Sequence, residues 1–328
     1  MDSRAHPAAN PAASPAANPT ASPAANPAAN PPGSASASDA RTRGLLWIVI
    51  AYLSALVVAL LVGITVGDRH PIEIALAADV AATLVIFAFS FRFGNSSFYD
   101  AYWSVAPPLI ALWFTFAPGA HGIALRQALV LALVFLWAIR LTANWARGWS
   151  GLDHEDWRYV DFRRKAGRVG YWFVSFFGLH GMPTLIVFLG LLPLWPALAS
   201  GTRPLGWLDA IAAATTFIGV ALEFFADNEL RRFRLSNPPP DAILASGLWA
   251  WSRHPNYLGE MLFWIGLALF SLAAAGFTWW AWVGAVAMVA MFLGTSIPLK
   301  ETRMLERRPA YAERQRRVSL LIPRPPRA

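Results

Sequence analysis

Nine residues, S-R-H-P-N-Y-L-G-E from Ser252 to Glu260, set an arginine, a histidine, an asparagine, a tyrosine and a carboxylate at the edge of a strongly apolar run. Asn256 and Glu260 are four apart, so on a helix they share a face, with Tyr257 beside them. Pro255 suits a first helical turn, and Ser252 or Asn256 is placed to cap it. Arg253 and His254 then stand at the positive end of that helix. Two basic side chains beside free backbone N–H groups make an anion site, and a polyanionic cofactor bearing phosphates fits it.

Four other stretches concentrate polar side chains: Asn95 to Ser104, Arg140 to Tyr159, Glu223 to Arg234 and Ser296 to Tyr311. Glu223 and Asp227 are again four apart and share a helical face. Ionisable residues at membrane depth are costly and tend to face a cavity or a partner. The blander roles are an interface anchor for any one arginine and a bond between neighbouring helices for Asn256 and Glu260. His180, alone in an apolar run, reads as a hydrogen-bonded interior residue, and Trp279-Trp280 as part of an aromatic belt. With 6 His and no Cys, no metal-ligand spacing such as H-E-x-x-H appears. There is no G-x-G-x-x-G after a strand and no Walker loop.

The elements that must position these residues are membrane helices. Hydrophobic residues make up 56% of the 328-residue chain and charged residues only 14%, against about 25% in soluble domains. Eight apolar stretches approach the ~20 residues a helix needs to cross a bilayer: 44–66, 74–91, 104–119, 123–146, 170–197, 206–228, 257–274 and 277–297. The expected fold is therefore all-α, a polytopic integral membrane helix bundle with about eight transmembrane helices. With the N-terminus inside, only Arg69, Arg126 and Arg203 of the 27 Lys+Arg lie toward the outside, so both termini are expected to be cytoplasmic. Every polar cluster then falls on the cytoplasmic side. The net charge of +8 sits in loops beside apolar spans, which points to anionic lipid headgroups and away from nucleic acid. Residues 1–42 repeat Asn/Ser-Pro-Ala-Ala with scarcely a large apolar side chain and read as a disordered tail, leaving 43–328 as the membrane domain. The tail lacks the pattern of a signal peptide.

The run G-L-W-A-W-S-R-H-P-N-Y-L-G-E-M-L-F-W, Gly247 to Trp264, resembles the C-terminal signature of the steroid 5-alpha-reductase superfamily. From about Gly44 to Pro323 the chain is similar to the bacterial branch of unassigned substrate, the domain of unknown function 1295 family. The matching residues are Tyr99-Asp100-Ala101-Tyr102-Trp103-Ser104, Arg140-Leu141, Glu155-Asp156-Trp157-Arg158-Tyr159, Ala226-Asp227, Tyr311 and Leu321-Ile322-Pro323. The resemblance implies a helix bundle that holds NADPH. By position it puts Arg253, His254, Asn256, Tyr257 and Glu260 on one wall of the cofactor pocket and Asp227, Asn228 and Arg231 opposite. Arg307, Tyr311 and Arg316 or Arg317 would close it. The chain departs from the pattern at Asn228-Glu229, where relatives commonly carry Trp-Gln.

The activity so implied is NADPH-dependent reduction of a carbon–carbon double bond conjugated to a carbonyl in a lipophilic, steroid-, isoprenoid- or fatty-acyl-like molecule. Charge builds on the carbonyl oxygen, and Tyr99, Tyr102 or Asp100 is the candidate donor to it; Asp100 would need a raised pKa. The rival enzyme is a membrane methyltransferase using S-adenosylmethionine, whose isoprenylcysteine carboxyl and phospholipid forms share an R-H-P-x-Y-x-G core; Glu301 and Glu306 would then hold the cofactor. Asn256 with Glu260 and the arginine-rich C-terminal segment favour the reductase. A third class, a transporter or lipid scaffold, would call for inverted repeats, and none is evident. The expected partners are membrane lipids and the lipophilic substrate, with no obligate protein partner indicated. Composition and family branch point to a bacterial inner membrane.

Overall fold

The computed structural model describes residues 34–327, with side chains from residue 39 onward. The tail reading for residues 1–42 thus lies outside the described residues as far as residue 33, and the chain is already helical from Ser34. Among the described residues the fold is helical with no strand, save one isolated bridge between Ser252 and Ser319.

The chain crosses back and forth. Helix α1 (Ser34–Val66) leads through a short turn into α2 (Pro71–Phe93), which starts at Pro71 and ends on Gly94 at φ 65°. Proline is free of a needed N–H there, and glycine takes the left-handed cap at no steric cost. A 3-10 turn, Ser96–Tyr99, precedes α3 (Tyr102–Phe116) and α4 (Ala124–Gly148). Next come α5 (Trp157–Val174), a π-turn Ser175–Gly181 and α6 (Met182–Leu191). Then follow α7 (Trp207–Leu235), the single turn α8 (Leu248–Trp251), α9 (Pro255–Ala275) and α10 (Trp280–Met291). Two amphipathic pieces, α11 (Ile297–Arg307) and α12 (Tyr311–Arg317), close the chain.

Seven helical stretches are long and apolar enough to cross a membrane. The third expected span is α3, whose 15 residues make it shorter than any of those seven stretches. The stretch Trp157–Ser200 has 44 residues, about 66 Å as straight helix, more than a bilayer needs. It is broken at Gly167 (φ 69°), so its basic first part can leave the line of the spanning part.

One end of the bundle gathers the turns after α2, α4 and α7 and the start of α9, and with them most of the basic side chains. The opposite end is tied by Arg126, fully buried, which donates to Asp209 at 2.6 Å and to the Arg203 carbonyl at 3.1 Å. The core lies where α4, α7 and α9 meet. Trp137 stacks on Phe263 (4.5 Å, 10°) and meets Trp264 edge-on (5.5 Å, 76°). Helices α7 and α9 touch backbone to backbone: a Cβ on Gly219 would stand 2.6 Å from the Gly259 carbonyl, and one on Gly266 would collide with Thr216. Small residues at a helix contact allow this approach in a bilayer, where apolar burial alone gives no drive to associate.

Candidate functional site

The close approach of α7 and α9 brings four polar side chains together at the basic end of the bundle, and α4 supplies their counter-charge. Arg140 forms an ion pair with Glu223, donates to Asp227 at 3.0 Å and stands 4.0 Å from Glu260. Asn144, one turn on from Arg140, donates to Asp227 at 3.2 Å; Asn256 donates to the other Asp227 oxygen at 3.2 Å. Glu260 accepts from Trp137 Nε1 at 3.2 Å and Trp264 Nε1 at 3.0 Å. Arg140, Glu223 and Glu260 are buried. Three carboxylates thus face one guanidinium in a setting where charge is expensive unless paired. Two polar atoms there, Arg140 Nε and Glu223 Oε1, are buried without a partner. Unpaired buried groups of this kind mark a place where a ligand's hydroxyls or amides would be held.

The sequence placed Asp227, Asn256 and Glu260 in one site, and the structure brings them together. It does not bring Arg231, which is exposed; Asn228 is half-buried. Arg140 was legible only as part of a motif, and its role as the hub is visible once α4 is packed on α7. Glu229, the departure from the family pattern, accepts from the Leu248 backbone N–H at 2.9 Å and so caps α8.

A second node lies beside it. Glu301 accepts from His254 Nε2 at 2.8 Å, the Tyr311 hydroxyl at 2.6 Å and Gln315 at 2.6 Å, and pairs with Arg253 at 3.2 Å. His254 occupies the N-cap position of α9 with no side-chain cap bond; its own N–H donates to Ser252 Oγ at 3.2 Å. Asn256 therefore does not cap, because its amide is turned to Asp227. The His254 ring lies parallel to Tyr257 at 5.4 Å, and Tyr257 packs on Phe292 at 4.8 Å. Burial and the Glu301 acceptor push the Tyr311 phenol up, so it stays a donor. Arg316 and Arg317 line a recess with Arg253, Arg324 and Arg327. Arg307 is exposed.

The three candidate donors divide. Tyr102 donates to Asp79 at 2.9 Å and lines a half-open apolar cavity of about 340 Å³ bordered by α1, α2 and α3. Tyr52, Asp79 and Trp113 also border it, among aliphatic neighbours. Tyr99 is off the cavity, with its hydroxyl 2.8 Å from Thr184. Asp100 accepts from the Tyr159 hydroxyl at 2.7 Å and also lies off the cavity; burial pushes its carboxyl up to about 7, against that hydrogen bond. Asp79 was missed by sequence reasoning, although a lone acid in an apolar span is itself a signal. Trp103, next to Tyr102 in the chain, meets Trp137 edge-on at 5.8 Å, and Trp137 donates to Glu260, so a run of aromatic contacts leads from the cavity side of α3 to the carboxylate cluster.

Two further readings resolve plainly. Asp156 caps α5, accepting from Arg158 N at 2.9 Å and Nε at 2.8 Å; burial pushes its carboxyl up, but these bonds hold it below the usual range. His180 is fully buried, 3.0 Å from Ser90 and 2.8 Å from the Ser175 carbonyl, an interior residue as expected.

A family model described as Protein of unknown function (DUF1295) matches residues 86–318, which takes in α3 to α12 and the whole of both nodes. A protein of Schizosaccharomyces pombe described as uncharacterized is 29% identical over 282 residues, covering 78% of this chain and 81% of its own length. No solved structure matches the chain.

Proposed function

The chain belongs to the DUF1295 family, and on that premise we propose that it is an NADPH-dependent membrane reductase of a carbon–carbon double bond conjugated to a carbonyl in a lipophilic molecule. The observation that carries this reading is the Tyr102–Asp79 pair on the border of an apolar cavity, with a buried carboxylate cluster on the neighbouring helices.

The residues present fit a nicotinamide nucleotide. Glu223, Asp227 and Glu260 accept from hydroxyls or a carboxamide, with the Glu223 oxygen still unpaired. Asn256 and Arg140 donate, Tyr257 offers a ring face, and Arg253 offers a guanidinium whose Nε is unbonded. When bound, the cofactor supplies the hydride, which goes to the β-carbon of the substrate. Tyr102 then serves the carbonyl: its hydroxyl donates to the oxygen as charge builds there, in a cavity dry enough for that bond to count. Asp79 holds the Tyr102 hydroxyl in place. The Tyr102 hydroxyl gives its proton to the carbonyl oxygen, the enol so formed tautomerises to the saturated carbonyl product after leaving the cavity, and Tyr102 regains its proton from water. The apolar walls accept the lipid body and keep water out. The termini are taken to be cytoplasmic and the membrane a bacterial inner membrane, from the distribution of Lys and Arg and the composition.

The methyltransferase alternative calls on Glu301 and Glu306 for its cofactor; both Glu301 oxygens are already engaged by four side chains, while Glu306 is exposed. The test is nucleotide binding to detergent-purified protein by thermal shift and calorimetry. NADPH should stabilise the wild type, and Tyr257→Ala with Glu260→Gln should abolish that binding. Unchanged binding in the double variant sinks the site, and stabilisation by S-adenosylmethionine alone replaces the reductase with the methyltransferase.

A further inference from the structure

We propose that a column of buried hydroxyls and one imidazole, set between α2, α5, α6 and the 3-10 turn, is the proton path to the Tyr102–Asp79 pair, entered at Glu155 on the basic end. Its purpose rests on the reductase reading, which leaves Tyr102 one proton short after each turnover. The cavity mouth does not supply that proton. The exposed residues lining the cavity are Leu60, Ile64 and Leu109, so in a bilayer it opens onto hydrocarbon. The column leads the other way. Glu155 pairs with Arg163 at 2.9 Å and accepts from the Tyr171 hydroxyl at 3.3 Å. The Tyr171 hydroxyl is 2.6 Å from Ser96 Oγ, which is 2.9 Å from Ser175 Oγ. Ser175 Oγ stands 3.5 Å from His180 Nδ1, and Ser90 Oγ 3.0 Å from His180 Nε2. A second run begins at Tyr99, whose ring centroid lies 5.0 Å from that of the imidazole. The Tyr99 hydroxyl is 2.8 Å from Thr184 Oγ1, and Thr184 Oγ1 is 3.0 Å from Thr83 Oγ1. Thr83 sits one helical turn from Asp79 on α2 and also faces the Tyr102 hydroxyl.

Burial and chemistry set this column apart from ordinary bonds between helices. Ser90, Ser96, Tyr171, Ser175 and His180 are wholly buried, and the Tyr99–Thr184–Thr83 run is nearly so. From Asp79 to Ser90 the helix rises about 17 Å, a depth that water does not reach through apolar helix faces. A hydroxyl both donates and accepts, so a chain of hydroxyls passes a proton by turning its O–H groups. An imidazole takes a proton on one nitrogen and releases one from the other. His180 lies in the π-turn Ser175–Gly181, a form that recurs at functional sites. His180 and Thr184 are four apart on one face, and rotation of the imidazole from Ser90 toward the Tyr99–Thr184 pair joins the two runs. Each group passes one proton onward as it takes one. Glu155 is refilled from water and the Tyr102 phenolate takes the last proton, so no co-reactant is consumed and no electrons move. No member of the column belongs to the carboxylate cluster or to the Glu301 node.

The test follows the Tyr102 hydroxyl itself and needs no substrate. The full chain in phosphatidylcholine nanodiscs carries tyrosine isotopically labelled at Cζ, and the Tyr102 resonance is identified by its loss in Tyr102→Phe. On transfer to heavy water that resonance shifts as deuterium replaces the hydroxyl proton, which gives the rate of exchange with solvent. Thr184→Val and Ser96→Ala each remove one hydroxyl from the column and should slow the exchange at least about tenfold. Thr184→Ser keeps a hydroxyl there and should keep the wild-type rate. A variant that loosens the fold exchanges faster, so slowing is not a mark of damage. Equal or faster exchange in Thr184→Val and Ser96→Ala, or a slowing shared by Thr184→Ser, overturns the path. Slowing in those two variants of a chain that NADPH fails to stabilise keeps the path and removes the reductase reading.

Discussion

Asp100 is half-buried against the Tyr159 hydroxyl, and its removal from water lifts its carboxyl from 3.8 to about 7. Between about pH 4 and 7 the folded chain therefore keeps a proton that the unfolded chain releases. Stability is fully present below the unfolded pKa and falls as pH rises through the folded one, by up to about 4 kcal/mol for three units. Asp100→Asn should flatten that slope when unfolding in detergent is followed across the window; an unaltered slope would show that Asp100 is not the group responsible. Arg140 carries the opposite prediction. It is the sole cation within ion-pair distance of Glu223, Asp227 and Glu260 among the described residues, so Arg140→Met should cost about 3–5 kcal/mol. Adding Glu223→Gln should recover part of the loss, and an additive loss in the double variant would argue against their coupling.

At the scale of elements, the site exists because α7 and α9 touch at glycine. A Cβ on Gly259 would stand 2.6 Å from Glu223 Cγ and 2.6 Å from the Gly219 carbonyl. Gly259→Ala should push the helices apart, lower the unfolding temperature and break the Asn256–Asp227 bond. Gly148→Ala, where nothing lies within 4 Å, should be close to neutral and serves as the control. Equal behaviour of the two variants would mean that the α7–α9 contact does not set the site. The apolar spacing of each helix was legible in the sequence; which glycines meet was not, because a contact between two helices depends on their relative rotation.

For the whole molecule, seven helical stretches are long and apolar enough to cross a membrane, and the expected eight spans add the 15-residue α3; on that count the turn after α7 and the C-terminal segment should lie on one side. The chain has no cysteine, which makes labelling of single introduced ones unambiguous. Ser236→Cys and Ser319→Cys should react from the same face of sealed vesicles and Thr202→Cys from the other; Ser236 and Thr202 reacting together would remove a crossing. The sequence alone determined the class of fold, since a bilayer forces backbone hydrogen bonds inside each span and apolar runs mark those spans directly. It also determined that Asn256 shares a helix face with Glu260 and Glu223 with Asp227, since i, i+4 spacing is a local fact, whereas Asp227 opposite Asn256 and Glu260 was implied only by the family resemblance. Only the tertiary structure decided that Arg140 is their counter-ion, that Tyr102 rather than Tyr99 or Asp100 reaches a cavity, and that Asp79 stands beside it. Those are pairings across separate helices, and they follow from crossing angle and rotation, which no single helix encodes.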